Sequence, residues 1–173
     1  DELRIILATI DTPELIQVAE ELQRQLAQIG INLVINPVSS LTFQTEVLPS
    51  RDFEVLLTGT LLGVTPDLYS YWHSSQSEEP GLNLAQFINR EVDEAIDLTR
   101  TSTDETVRAE SYAEIANILR EELPAVFLYQ STYPYALSSK VKGFSLDRIA
   151  LPEQRFEQIE SWYIRTRRIF KTE

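Results

Sequence analysis

The stretch from Leu3 to Pro37 constrains this chain most, because a strand-like run, a helical rhythm and a second strand-like run follow each other without a gap. Residues 3–10 (LRIILATI) are rich in Leu and Ile, the composition of a buried strand. Asp11, Thr12, Pro13 and Glu14 then read as a helix start. Thr12 can cap, Pro13 suits the first helical position, and Asp11 to Glu14 has capping-box spacing. Leu15, Val18, Leu22, Leu26 and Ile29 recur at three and four residues, which places them on one helical face. Gly30 is expected to close the helix in a left-handed conformation. Residues 31–37 (INLVINP) alternate apolar and polar, as a second strand does. A strand, a helix and a strand at this spacing predict a right-handed crossover unit with parallel pairing, and hence an α/β fold.

The rest of the chain extends that unit. Ser39 or Ser40 can cap a short helix over 41–48, and residues 53–58 (FEVLLT) predict a third strand. Residues 59–86 read as a long loop holding Pro66, Asp67 and the cluster Tyr69, Tyr71, Trp72 and His73, with one helical turn over 69–72. A loop of that length inside a compact domain is uncommon unless it has work to do. A helix follows over 90–99 with Val92 and Ile96 inward. Ser102, Thr103, Asp104 and Glu105 supply a further capping box, for a helix reaching about Glu122. That helix is expected to bury Tyr112, Ile115, Ala116, Leu119 and Leu123, and Pro124 stops it. Residues 125–130 (AVFLYQ) and 133–138 (YPYALS) predict strands, the second at an edge because of Pro134. From Lys140 onward the character changes. Lys142 and Gly143 predict a turn and residues 159–164 a last strand, and Arg165, Arg167, Arg168 and Lys171 read as a solvated basic tail.

Composition narrows the chemistry. The net charge of −12 repels phosphate backbones, so nucleic acid is not expected as a partner. With no Cys there are no disulfides, thiolate nucleophiles or Cys-bound metals. His73 is the sole histidine. It stands beside Ser74 and Ser75, but triad members meet through the fold and not as sequence neighbours, and a zinc site needs further ligands. The carboxylate pairs Glu20-Glu21, Asp93-Glu94 and Glu121-Glu122 lie on helices whose other faces are apolar, the pattern of solvated faces. With five Gly and no glycine-rich phosphate motif, a nucleotide cradle is not expected. No catalytic residue, metal or cofactor is therefore assigned, and the chain is expected not to be an enzyme. Tyr69, Tyr71, Trp72 and Phe87 fit either a core or the wall of a cleft. No apolar run is long enough to span a bilayer. A chain that opens Asp1-Glu2-Leu3 and contains no Met is expected to be a processed or truncated piece, with any signal or lipid anchor upstream.

Five passages, in order, resemble the peptide/nickel family (family 5) of extracellular solute-binding proteins of ABC transporters. They are the helix closing on Gln25-Leu26-Ala27-Gln28-Ile29-Gly30-Ile31; residues 53–59 followed by Pro66-Asp67-Leu68-Tyr69-Ser70-Tyr71-Trp72-His73-Ser74-Ser75; residues 83–96; residues 108–128; and Lys140-Val141-Lys142-Gly143-Phe144. The resemblance implies a periplasmic-binding-protein-like lobe with a mixed sheet flanked by helices. Residues 1–128 would be the C-terminal ligand-binding lobe. Residues 129–173 would be hinge-crossing strands and a tail that pack on the missing N-terminal lobe. It implies capture of an oligopeptide or similar small solute in an interlobe cleft, for an ABC permease, outside the cytoplasm. Gly59, Thr60, Leu61, Leu62, Asp67, Asn83 and Phe87 are the ligand-binding residues it implies. The chain departs from the family at Thr60, where many members have Trp, and at Leu68, where Pro is usual. An Asp that pairs a peptide's amino terminus is replaced near Gly63 or Val64, leaving Asp67 as the substitute candidate. The rival expectation is a sensory or regulatory domain that reuses the fold without transport.

Overall fold

Leu7, Ala8 and Thr9 are buried in succession, so both faces of strand β1 (Leu3–Ile10) are covered over that length, as befits a middle strand of a parallel sheet. In the computed structural model, which describes residues 3–60, 62, 66–146, 149 and 151–164, β1 pairs with β2 (Ile31–Val38) on one side and β3 (Val55–Leu57) on the other. Both pairings are parallel, in the order β2-β1-β3. Helix α1 (Pro13–Ala27) carries the chain from β1 to β2. Its predicted face holds: Leu15, Val18, Leu22 and Leu26 pack on a core of Leu7, Ala19, Leu33 and Leu57. Ala19 is fully buried, and its methyl lets the helix approach the sheet closely.

Several local expectations need correction. Thr12 sits at the cap position with extended backbone, but its hydroxyl makes no capping bond and the predicted box does not form. Pro13, which has no N–H to satisfy, opens the helix instead. Gly30 does adopt a left-handed conformation (φ 79°), but the helix ends at Ala27, which leaves Ile29 exposed rather than on the buried face. Ser39 is the cap of the next helix, its hydroxyl accepting the Thr42 N–H at 3.1 Å. That helix runs as α2 (Ser40–Thr42), a π-helical turn (Phe43–Val47) that buries Phe43, and α3 (Leu48–Ser50). It ends on Arg51 in the left-handed region (φ 56°). β3 is shorter than its apolar run. The Glu54 carboxylate accepts the Ile6 N–H of β1 at 2.6 Å, so a side chain takes that amide where a longer strand would have offered a carbonyl.

A second core lies between α5 (Arg90–Thr101) and α6 (Glu105–Glu122). Val92, Ala95, Ile96, Ile115 and Leu119 form it, and Leu68, Tyr69, Trp72, Phe87 and Ile118 close over it. Asn89 caps α5, accepting the N–H groups of Glu91 and Val92. Asp104 caps α6 through the Thr106 N–H, two residues later than a box opening on Ser102 requires. The buried line of α6 is Ser111, Ile115 and Leu119, while Ala116 and Leu123 face solvent. Ser111 tolerates burial because its hydroxyl donates to the Val107 carbonyl at 2.9 Å.

The chain divides into two compact units, Asp1–Leu61 with Leu68–Ala125, and Leu62–Asp67 with Val126–Glu173. In the second, the strands expected over 125–130 and 133–138 are not formed: these residues run as irregular chain, with Val126 and Phe127 76% and 67% exposed. A strand exists only as half of a ladder, and an apolar run specifies no partner. The described ladder of this unit joins β4 (Val141–Lys142) and β5 (Tyr163–Ile164), antiparallel. Residues 159–161 form a 3-10 turn where a strand was expected. Gly143 turns the chain at φ 83°, and the Ser161 hydroxyl donates to its carbonyl. Tyr133, Tyr135, Phe144, Trp162 and Phe156 follow one another ring to ring at 5.6–6.4 Å. Arg155 lies on Phe156 and donates to the Tyr133 hydroxyl, which closes the circuit. The basic tail lies outside the described residues.

Candidate functional site

In an open parallel sheet the usable crevice opens at the carboxyl ends of the strands, where the chain order reverses direction. Here β1 is flanked by its successor β2 on one side and by β3 on the other, so that point falls between the ends of β1 and β3. Thr9, fully buried near the end of β1, donates its hydroxyl to the Leu57 carbonyl at 2.9 Å and fixes the end of β3. Gly59 and Thr60 follow directly and are exposed. Two of the residues implied by resemblance thus stand at the edge that strand polarity alone selects.

Asn83 has a different surrounding. It is fully buried. Its amide nitrogen donates to the Phe87 carbonyl at 2.7 Å and the His73 carbonyl at 3.3 Å, and its amide oxygen accepts the Phe87 N–H at 3.1 Å. One side chain therefore ties both ends of the loop 73–87, the arrangement of an Ω-loop. The rest of the loop folds on itself. The Asn83 N–H donates to the Gln76 carbonyl, and a Cβ at Gly81 would run into that same carbonyl. Phe87 is half-buried against the α5–α6 core. Leu62 and Asp67 are exposed and belong to the second unit. Leu61 lies outside the described residues.

His73 begins this loop just after helix α4 (Tyr69–Trp72). Its Nδ1 accepts the Ser75 N–H at 3.1 Å and lies 2.9 Å from the Ser75 hydroxyl. An accepting Nδ1 carries no proton, so these bonds assign the neutral ring's hydrogen to Nε2. Nε2 faces Asp97 at 4.0 Å, beyond hydrogen-bond reach. Asp93 accepts the Ser74 N–H at 2.8 Å, and the Tyr69 hydroxyl lies 2.9 Å from the Ser75 hydroxyl. The Tyr69 ring packs 4.4 Å from that of His73, with the Arg100 guanidinium 4.3 Å above it. Ser, His and Asp do meet here, but the imidazole accepts from a backbone amide and caps the turn Ser74–Gln76. It is not placed to relay a proton between a nucleophile and an acid. Among the described residues no group of His, Asp and Glu could hold a metal ion.

Sequence reasoning passed over Thr9, Arg51 and Arg100. Each acts by reaching a group far away in sequence: Thr9 the Leu57 carbonyl, Arg51 the carbonyls of Gly81 and Asn83, Arg100 the Tyr69 ring. No local pattern announces such contacts.

No protein-family model matches the sequence. Among known proteins, the chain is 29% identical over 149 residues to the oligopeptide-binding protein AppA of Bacillus subtilis, covering 85% of this chain and 26% of AppA. It is 30% identical over 137 residues to the peptide transport periplasmic protein SapA of Salmonella typhimurium, covering 78% of this chain and 25% of SapA. The structure of AppA in complex with a nonapeptide matches with a TM-score of 0.69 and 26% identity, over 95% of this chain and 32% of that one. NikZ from Campylobacter jejuni, in complex with Ni(L-His), shares the fold at a TM-score of 0.62 and 18% identity, over 92% of this chain and 33% of that one. The chain spans about a quarter of the length of the curated relatives it matches. By sequence and by fold, this chain is similar to members of the peptide/nickel family of extracellular solute-binding proteins.

Proposed function

We propose that this chain is part of the substrate-binding component of an ABC importer and forms one wall of an oligopeptide site. The observation that carries the reading is the crevice edge between β1 and β3, with Gly59 and Thr60 exposed at its rim, in a chain related to oligopeptide-binding proteins. A peptide offers backbone amides and carbonyls along its length. Exposed backbone beside Gly59, which has no side chain to hold it off, can meet those groups directly. Leu61, Leu62, Asp67 and Phe87 are further proposed ligand contacts, and Asn83 shapes the loop that ends in Phe87. Residues 129–173 are proposed as the segment that leads toward the other lobe.

The work is reversible capture, with no bond made or broken and no cofactor, in an extracytoplasmic protein that hands its cargo to a permease. Support for a binding role over an enzymatic one comes from relatives that are binding proteins and from the His73 cluster, which caps a turn. The test is native mass spectrometry of the complete protein after incubation with a randomised nonapeptide pool. Retained peptide mass that is lost on mild activation supports the reading. A protein that retains no peptide at micromolar concentration overturns it.

A further inference from the structure

Arg51 carries two local costs at once. It is held at φ 56°, a left-handed conformation that L side chains rarely adopt, and its buried Nε–H has no hydrogen-bond partner. Strain of this kind persists only where the surroundings impose it, and it gathers where a site is held in a working shape. The remaining guanidinium nitrogens show what imposes it. One donates to the Asn83 carbonyl at 3.0 Å and another to the Gly81 carbonyl at 2.6 Å. A planar fork spanning two carbonyls fixes both distance and direction, which a flexible ammonium cannot do. Gln86, in the same loop, is a second non-glycine residue in the left-handed region, at φ 50°.

Position in the chain adds the rest. Arg51 ends α3 and leads within a few residues into β3, whose far end presents Gly59 and Thr60. Its fork grips the loop that Asn83 closes and that ends in Phe87. We propose that Arg51 is a positioning residue of the ligand site. It touches no ligand; it locks the loop 73–87 to the segment that carries Gly59 and Thr60, so the two parts of the wall keep one spacing. This inference rests on the peptide-site reading above, and it assigns Arg51 a role that a residue outside the crevice would not otherwise have.

Arg51→Gly separates the fork from the strain, because glycine accepts the left-handed backbone without a guanidinium. Arg51→Lys keeps the charge without the fork. Both are made in the complete protein, with amide hydrogen exchange read on residues 82–87 and affinity read on a single nonapeptide recovered from the wild type. In Arg51→Gly, exchange at 82–87 is expected to speed up about tenfold or more while α1, α5 and α6 keep their protection, since two charged-group hydrogen bonds are lost from the loop alone. Affinity is expected to fall about tenfold, as the loop must then be ordered on binding, with Arg51→Lys in between. Loosened exchange with unchanged affinity overturns the positioning role and leaves Arg51 a structural clamp. Unchanged exchange overturns the clamp itself. Failure of the wild type to retain any nonapeptide overturns the peptide-site reading and this proposal with it, whereas failure confined to the variants overturns the proposal alone.

Discussion

Asn83 shows how a single buried side chain can hold a loop together from within. Resemblance placed it among the ligand contacts, and the structure gives its amide three backbone partners instead. A sequence reveals residue type and spacing, but the partners of a side-chain amide depend on how fifteen or so residues curl, which no periodicity encodes. The placement of Gly59 and Thr60 was more legible, because they directly follow the apolar run that forms β3. Asn83→Ala is expected to destabilise by about 2–4 kcal/mol, since it strands the partly buried Phe87 N–H and opens a void where a fully buried amide sat. Urea unfolding followed by circular dichroism reads this loss. A value below about 0.5 kcal/mol would mean that water replaces the amide and that the loop is not closed by it.

At the scale of the element, β1, α1 and β2 were readable because each has a strong period and a clean boundary. The parallel pairing expected of them runs the length of the ladder, from Leu3 opposite Ile31 to Ile10 opposite Val38. α6 was read less well, because its buried line includes Ser111, and apolarity alone favours Ala116 and Leu123 over a serine that satisfies its own hydroxyl. The apolar segment 125–130 misled for the converse reason, having strand composition without a described ladder. On the α5–α6 hairpin, Ile96→Ala is expected to cost about 2–5 kcal/mol, because Ile96 is fully buried in its core. Chemical denaturation measures it, and a cost under about 1 kcal/mol would show that the hairpin collapses around the gap. On α1, Glu21 is held down to about 2, first by its hydrogen bond from Arg24 and then by that from Gln25. Its lowered value in the folded helix gives a stabilising contribution that is present above the ordinary carboxylate range. That contribution is lost as pH falls toward about 2. Both groups are exposed, so added salt weakens the effect. An NMR titration should find the Glu21 midpoint returning toward its ordinary value in Arg24→Gln; an unmoved midpoint would show that the ion pair does not form in solution.

For the molecule as a whole, the α/β class and the order of elements were legible from one crossover unit and five passages of resemblance. The division into two units involves the short segment Leu62–Asp67, which groups with Val126–Glu173 across a long stretch of sequence. Such a pairing is a property of the folded chain alone. One wall of a site, the role proposed for this chain, buries only part of a peptide and gains little over the entropy of association. This chain by itself is therefore expected to bind a nonapeptide with a dissociation constant weaker than about 100 μM, read by calorimetry. Tight binding by the isolated chain would mean that it contains the whole site.

The two ends of the loop 73–87 are drawn together by one amide, that of Asn83, while Glu78, Glu79 and Pro80 stand exposed at its far side. A loop closed at its neck is insulated at its tip, since extra residues added there strain neither the sheet nor the α5–α6 core. The tip is therefore expected to accept added residues more readily than the neck. In the hands of an engineer it is the natural socket for a reporter.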